Sequence, residues 1–157
     1  MVIRPAESKD YQAYCDLASE ADLLHALNAP RYDRCDCSPS RPPEFFDSII
    51  RDPEKKLLIA EMEGETVGVL HLEVRFDPDL PVLVPMKWAH ISEIIVGKKH
   101  QRQGVGKALI RQAVLWAKEH DCQDLRLSVA NFNEGAKDFY KSEGFGMKNF
   151  VLALPVD

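Results

Sequence analysis

Residues 90–109 read His90-Ile91-Ser92-Glu93-Ile94-Ile95-Val96-Gly97-Lys98-Lys99-His100-Gln101-Arg102-Gln103-Gly104-Val105-Gly106-Lys107-Ala108-Leu109. The pattern predicts a strand (about Trp88–Val96), a short basic loop, and the start of a long helix (about Gly104–His120). Gly104 and Gly106 stand where loop becomes helix. There the first helical N–H groups lack an intrahelical partner, so an anion can collect several at once. A glycine brings no Cβ to hold a phosphate off the backbone. Between Glu93 and Glu119 lie six Lys/Arg (Lys98, Lys99, Arg102, Lys107, Arg111, Lys118) and no acid. That segment carries +6, so the rest of a chain of net charge −5 carries −11. A lone basic segment at a helix start, in an otherwise acidic chain, points to a phosphorylated ligand.

Two familiar phosphate loops do not fit. A Walker loop needs a glycine five residues before the Gly-Lys pair, and counting back from Gly104 or Gly106 gives Lys99 and Gln101. A dinucleotide fingerprint needs a third glycine at 109, where the chain has Leu109. What remains is Gln101-x-x-Gly104-x-Gly106 directly after an apolar strand. It resembles the acyl-CoA pyrophosphate loop, Q/R-x-x-G-x-G/A, of the GNAT superfamily of N-acetyltransferases. Alone, the same pattern also fits an ordinary strand–loop–helix corner with a solvated basic face. A second stretch decides between them. Residues 125–145 are similar to the family's second motif: a strand, an Asn, x-x-Ala, x-x-Phe-Tyr, then Gly-Phe. Asn133, Ala136, Phe139, Tyr140, Gly144 and Phe145 occupy its positions in order. Together the two motifs span about Trp88–Phe145, over a third of the chain.

Composition sets the outer bounds. The 157 residues are expected to form a single domain (1–157), large enough to bury about two-thirds of its unfolded surface. A hydrophobic fraction of 45% excludes a disordered chain. The net charge of −5 argues against nucleic-acid binding and leaves room for a cationic acceptor such as an amine. No apolar run approaches the ~18 residues of a membrane span, and no secretory core follows Met1, so a cytoplasmic location is expected. Cys15, Cys35, Cys37 and Cys122 form no disulfide framework. Cys35-x-Cys37 lacks a second Cys/His pair at ligand spacing, so no metal is expected.

In chain order, Val2–Ala6 predicts a first strand. A helix follows to about Leu27, with Ser8 as N-cap and Tyr11, Tyr14, Cys15, Ala18 and Ala21 on its buried face. Ala29–Pro43, with four prolines and three arginines, is an irregular loop; such loops are often lids or binding loops. A short helix, Glu44–Arg51, precedes a hairpin of Lys56–Met62 and Thr66–Phe76 about Glu63-Gly64-Glu65. His71 in that hairpin reads as a satisfied structural histidine. The helix after the basic loop carries Lys107, Arg111 and Lys118 on one face and Val105, Leu109, Ala113 and Trp116 on another. Asp124–Ala130 predicts a further strand, Asn133–Ser142 a helix stopped at Gly144, and Met147–Leu154 a last strand. The order is mixed α/β.

The resemblance implies more. The fold would be the GNAT α/β fold: a mixed, mainly antiparallel sheet of six or seven strands, splayed between the fourth and fifth, with helices on both faces. Acetyl-CoA would be the co-substrate and an amine the acceptor, without a metal. Backbone groups of Ile94, Ile95 and Val96 would pair with the pantetheine arm, and Arg102, Gln103, Gly104, Val105, Gly106 and Lys107 would cradle the pyrophosphate. Glu93, the only acid of its strand, is the candidate base; its alternative is a structurally paired carboxylate. Tyr140, at the motif tyrosine, would protonate the departing thiolate, or simply pack beside Phe139. Asn133 would bind pantetheine or cap the helix. A longer acyl group, or a CoA-binding module without catalysis, remains open, as does monomer against homodimer.

Overall fold

The computed structural model describes residues 1–36 and 38–156; Cys37 of the Cys35-x-Cys37 pair lies outside them. The elements run β1 (Val2–Pro5), a 3-10 turn (Ser8–Asp10), α1 (Tyr11–Asn28), α2 (Pro43–Arg51), β2 (Lys55–Met62), β3 (Glu65–Phe76), β4 (Lys87–Val96), a 3-10 turn (Lys98–His100), α3 (Val105–Glu119), β5 (Asp124–Leu127) and α4 (Glu134–Ser142). The strands lie in sequence order, β1-β2-β3-β4-β5, antiparallel up to β4 and parallel between β4 and β5. A two-residue turn, Glu63-Gly64, joins β2 to β3, and Met62 pairs with Glu65.

Helices cover both sheet faces. On one, Val105, Leu109, Ile110 and Ala113 of α3 pack on Leu58, Leu70, Leu72 and Ile91. On the other, Tyr14 and Leu17 of α1 and Phe46 and Ile49 of α2 pack on Leu57, Ile59 and Val69. Gly68 sets how closely α3 sits on the sheet. A Cβ there would stand 3.0 Å from the Ile95 carbonyl and 3.1 Å from Val105 Cγ1.

The sheet opens where the strand pairing ends. β4 pairs with β5 only from Trp88↔Asp124 to Ile91↔Leu127, so among the described residues Ser92–Val96 have no partner strand on that side. A bulge between His71 and Leu72 skips Ser92 in the β3–β4 ladder, at the mouth of the opening. Bulges commonly re-aim side chains beside functional sites. The splay between the fourth and fifth strands is therefore as expected.

Several expectations need correction. Met147–Leu154 forms no strand, so the sheet has five strands among the described residues rather than six or seven. β5 ends at Leu127, not Ala130, because the chain leaves β4 there to make the cleft wall. Ser8 is not the cap of α1 but opens the 3-10 turn; the backbone N–H of Glu7 donates to Asp10 Oδ2 (2.8 Å), and Arg4 holds the same carboxylate. Leu17 joins Tyr14, Cys15 and Ala18 on the buried face of α1, while Tyr11 and Ala21 are half-buried. Among the described residues no helix is long and apolar enough to cross a membrane.

Candidate active site

The unpaired half of β4 makes one wall of a cleft of about 350 Å3. Glu93, Ile94 and Ile95 line it from β4, and Ser128–Ala130 face them from the chain beyond β5. Asn133 and Tyr140 of the α4 region close one side; Asp22 of α1 and Asp33 and Arg41 of the irregular loop close the other. This volume is in the range of small-molecule sites.

The basic loop follows directly from β4. Gln101 donates its side-chain amide to the Val96 carbonyl (3.2 Å), and Gln103 donates to the Lys99 carbonyl (3.0 Å), which folds the loop back on the strand end. Gly104 is the N-cap of α3 at φ +84°, a left-handed conformation that costs other residues about 1–2 kcal/mol. A Cβ there would meet no protein atom, so φ is what requires glycine within the protein itself. The first helical bond runs from the Ala108 N–H to the Gly104 carbonyl (3.0 Å), which leaves Val105, Gly106 and Lys107 as the donors of the first turn. Gly106 faces α4: a Cβ would stand 3.2 Å from Phe139 Cζ. Arg102 and Gln103 are exposed beside this turn, and Lys107 Nζ lies 3.9 Å from Glu143. The structure thus brings the loop to the Val96 end of the opening, as a neighbour of the cleft rather than part of its lining.

α4 is positioned by its own start. The Asn133 side-chain Oδ1 accepts from the Ala136 N–H (3.1 Å), so Asn133 caps the helix and lines the cleft at once. Tyr140 is held between Phe139 and Phe145, with ring centroids 5.3 and 5.6 Å away. Burial pushes its hydroxyl pKa up to about 12, so it keeps its proton throughout the neutral range.

Glu93 is a paired carboxylate, the alternative that its sequence position left open beside the role of base. Arg41 donates to Oε1 from Nε (2.8 Å) and Nη2 (2.5 Å), and the Tyr14 hydroxyl donates to Oε2 (2.5 Å). Arg41 also grips both Asp22 oxygens at 3.1 Å. Burial opposes the Arg41 charge, but Glu93 and Asp22 more than offset it, and the guanidinium pKa is raised. The Tyr14 hydroxyl is raised by burial and by the Glu93 charge, and stays a donor. One guanidinium between two carboxylates leaves a net −1 at the cleft mouth. The loop end is pinned further by the Tyr11 hydroxyl, which donates to the Arg41 carbonyl (2.8 Å).

The Tyr14, Asp22 and Arg41 contacts were missed in the sequence. Arg41 lies 52 residues from Glu93 and Tyr14 lies 79, so no local spacing links them. The only signal was an arginine in a proline-rich loop of the kind that often serves as a lid or binding loop. His71 is also different from expectation. It is buried as a structural histidine should be, yet among the described residues neither ring nitrogen has a hydrogen bond. Its Nε2 lies 3.5 Å from Glu73, whose Oε1 accepts from the Ser92 hydroxyl (2.9 Å). Burial depresses the His71 pKa, against the opposing pull of Glu73.

Comparison with known proteins places this geometry. The model of the acetyltransferase (GNAT) family matches residues 21–145. An N-alpha-acetyltransferase of Sulfurisphaera tokodaii is 30% identical over 144 residues, covering 88% of this chain and 82% of its own. Two other curated relatives are matched over less than half of their length. Among solved structures, a mutant of the BH1408 protein from Bacillus halodurans superposes with a TM-score of 0.95 at 24% identity, covering 99% of both chains. The aminoglycoside N-acetyltransferase AAC(6')-Iy in complex with CoA has a TM-score of 0.73 at 15% identity, again over 99% of each chain. With the family match spanning both motifs and the splayed sheet, the chain belongs to the GNAT family and is an acyltransferase.

Proposed function

We propose that the protein transfers an acetyl group from acetyl-CoA to a primary amine by direct attack, with both substrates in the cleft together. The observation that carries this reading is the unpaired β4 edge at Ser92–Val96, with the Gly104 turn at its end and Tyr140 across the cleft. The chain fits the co-substrate. A free strand edge at Ile94, Ile95 and Val96 offers N–H and C=O groups to an extended amide-bearing arm. Arg102, Gln103, Gly104, Val105, Gly106 and Lys107 offer first-turn amides and positive charge to a pyrophosphate. Asn133, which lines the same cleft, would meet that arm. When bound, acetyl-CoA supplies the activated acetyl group as a thioester.

The remaining work belongs to the side chains. An alkylamine with a pKa of about 10.4 is neutral in only about one molecule in 2500 at pH 7, a handicap of roughly 4.6 kcal/mol. The acids at the mouth, Asp22, Asp33 and Glu93, favour such a cation. Each carboxylate oxygen offers two acceptor sites. Glu93 Oε1 uses both on Arg41, and Oε2 uses one on Tyr14, so one site remains to take the amine proton, directly or through water. A backbone N–H of β4 hydrogen-bonds the carbonyl oxygen as it gains charge. Tyr140 gives its proton to the departing sulfur.

The test is a panel of amines with acetyl-CoA, following free thiol and the mass of the acetylated amine. Peptide N-termini form one arm, since a relative of this chain is an N-alpha-acetyltransferase. A longer acyl-CoA forms a second. Acetylation of a primary amine that falls in Glu93→Gln is expected. Tight CoA binding without turnover on any arm would instead mark a binding module and overturn the proposal.

A further inference from the structure

Ser92 lines the cleft beside Glu93 without a part in the transfer step. Along a regular strand, adjacent residues point to opposite faces of the sheet. The bulge between His71 and Leu72 breaks that rule here. Glu93 pairs with His71, Ser92 has no partner in β3, and the Ser92 hydroxyl donates to Glu73 Oε1 (2.9 Å). His71 and Glu73 lie two apart on one strand and so share a face. Ser92 and Glu93, consecutive in sequence, therefore both reach that face. Glu73 is fixed from its other oxygen by Arg75, which donates to Oε2 from Nε (3.3 Å) and Nη2 (3.1 Å). Burial works against the Glu73 charge, but the hydrogen bonds from Ser92 and Arg75 outweigh it and hold the carboxyl below its usual range. An ionised carboxylate can only accept. The single Ser92 proton is thus committed to Glu73, and the hydroxyl keeps two lone pairs that meet no donor among the described residues.

We propose that Ser92 binds the acceptor, its oxygen taking one N–H of the incoming amine, and that Glu73 is the positioning residue that keeps the hydroxyl turned that way. The inference rests on the amine-acetylation reading and sharpens its acceptor class. A primary ammonium brings several N–H groups. Glu93 has one free acceptor site for the proton that must leave, and Ser92 adds a second acceptor beside it in the chain. The neutral amine that remains keeps an N–H on Ser92, so its rotation is restricted before attack. An alcohol has a single O–H. It satisfies Glu93 or Ser92 but not both, so the pair selects nitrogen acceptors over oxygen ones.

The test is steady-state acetylation of a tetrapeptide with a free N-terminus, a short alkylamine and any further amine of the panel that the parent acetylates. Ser92→Ala should raise KM for the amine about 10–100-fold, the worth of one hydrogen bond to a charged group. The change should fall mainly on KM rather than kcat, with CoA affinity unchanged by calorimetric titration. Ser92→Thr restores a hydroxyl and should return KM to near the parent value. Glu73→Gln, whose amide can donate to Ser92 and turn its proton into the cleft, should raise KM as well. In a Ser92→Ala background the same change should add nothing, since Glu73 acts through Ser92. An unchanged KM in Ser92→Ala overturns the inference and leaves the transfer reading intact. So does a Glu73→Gln effect that is absent, or that multiplies with that of Ser92→Ala. Should one of these variants fail to fold by circular dichroism, the other still decides. A parent that acetylates no amine loses the transfer reading itself, and this inference with it.

Discussion

Replacing Tyr140 by Phe separates proton donation from packing. The ring is held by Phe139 and Phe145, and Tyr140→Phe keeps those contacts. Only the hydroxyl is lost. With its pKa pushed up to about 12, that hydroxyl is ionised in about one molecule in 10⁵ at pH 7, so nearly every enzyme molecule has the proton in place. A positioned general acid contributes about 10²–10⁴-fold, or roughly 2.7–5.4 kcal/mol of barrier. Loss of one neutral hydrogen bond to a ligand is worth only about 0.5–1.5 kcal/mol. Turnover should therefore fall at least a hundredfold while CoA affinity changes by no more than about tenfold. Thiol release under saturating acetyl-CoA and amine gives the first quantity, and calorimetric titration with CoA gives the second. The fall should persist as pH rises, since a neutral amine still leaves the sulfur without a donor. A Phe variant that turns over at the parent rate would show that water or the amine provides this proton.

Three other outcomes follow from the geometry. Gly104→Ala should lower stability by about 1–2 kcal/mol through the left-handed φ, and should weaken CoA binding, by thermal melts with and without ligand. Arg41→Ala should cost about 2 kcal/mol by urea titration, below the 3–5 kcal/mol of a fully buried pair because a fifth of each partner meets water. It should also raise KM for the amine, since the loop end loses its tie to Glu93. His71 has a depressed pKa in the fold, so the unfolded chain binds the proton first as pH falls. Its contribution is full above the ordinary histidine value of about 6.5 and is lost as pH drops toward the depressed one. His71→Leu should flatten that limb of the stability profile; an unchanged limb would place the titration elsewhere.

The parts of the fold set by local chemistry were legible. A helix start marked by Gly104, a cap at Asn133 and a hairpin at Glu63-Gly64 announce themselves within a few residues. The cleft was legible at one remove, because the two motifs flank the place where β4 and β5 part. What was hidden depends on contacts far apart in the chain. Glu93 gave no sign that Arg41 and Tyr14 would occupy three of its four acceptor sites. His71 was read as satisfied because burial usually brings a hydrogen bond, yet its nitrogens make none among the described residues. Met147–Leu154 has a strand's composition, but composition cannot say which sheet edge receives it. Among the described residues, none does.

The assignment of the β4–β5 opening to acetyl-CoA is tested most directly by amide hydrogen exchange with and without that ligand. The prediction is slowed exchange among Ile94–Val96 on β4 and Val105–Lys107 at the start of α3. Unchanged exchange at both segments under millimolar acetyl-CoA, or slowing confined to other elements, would contradict it.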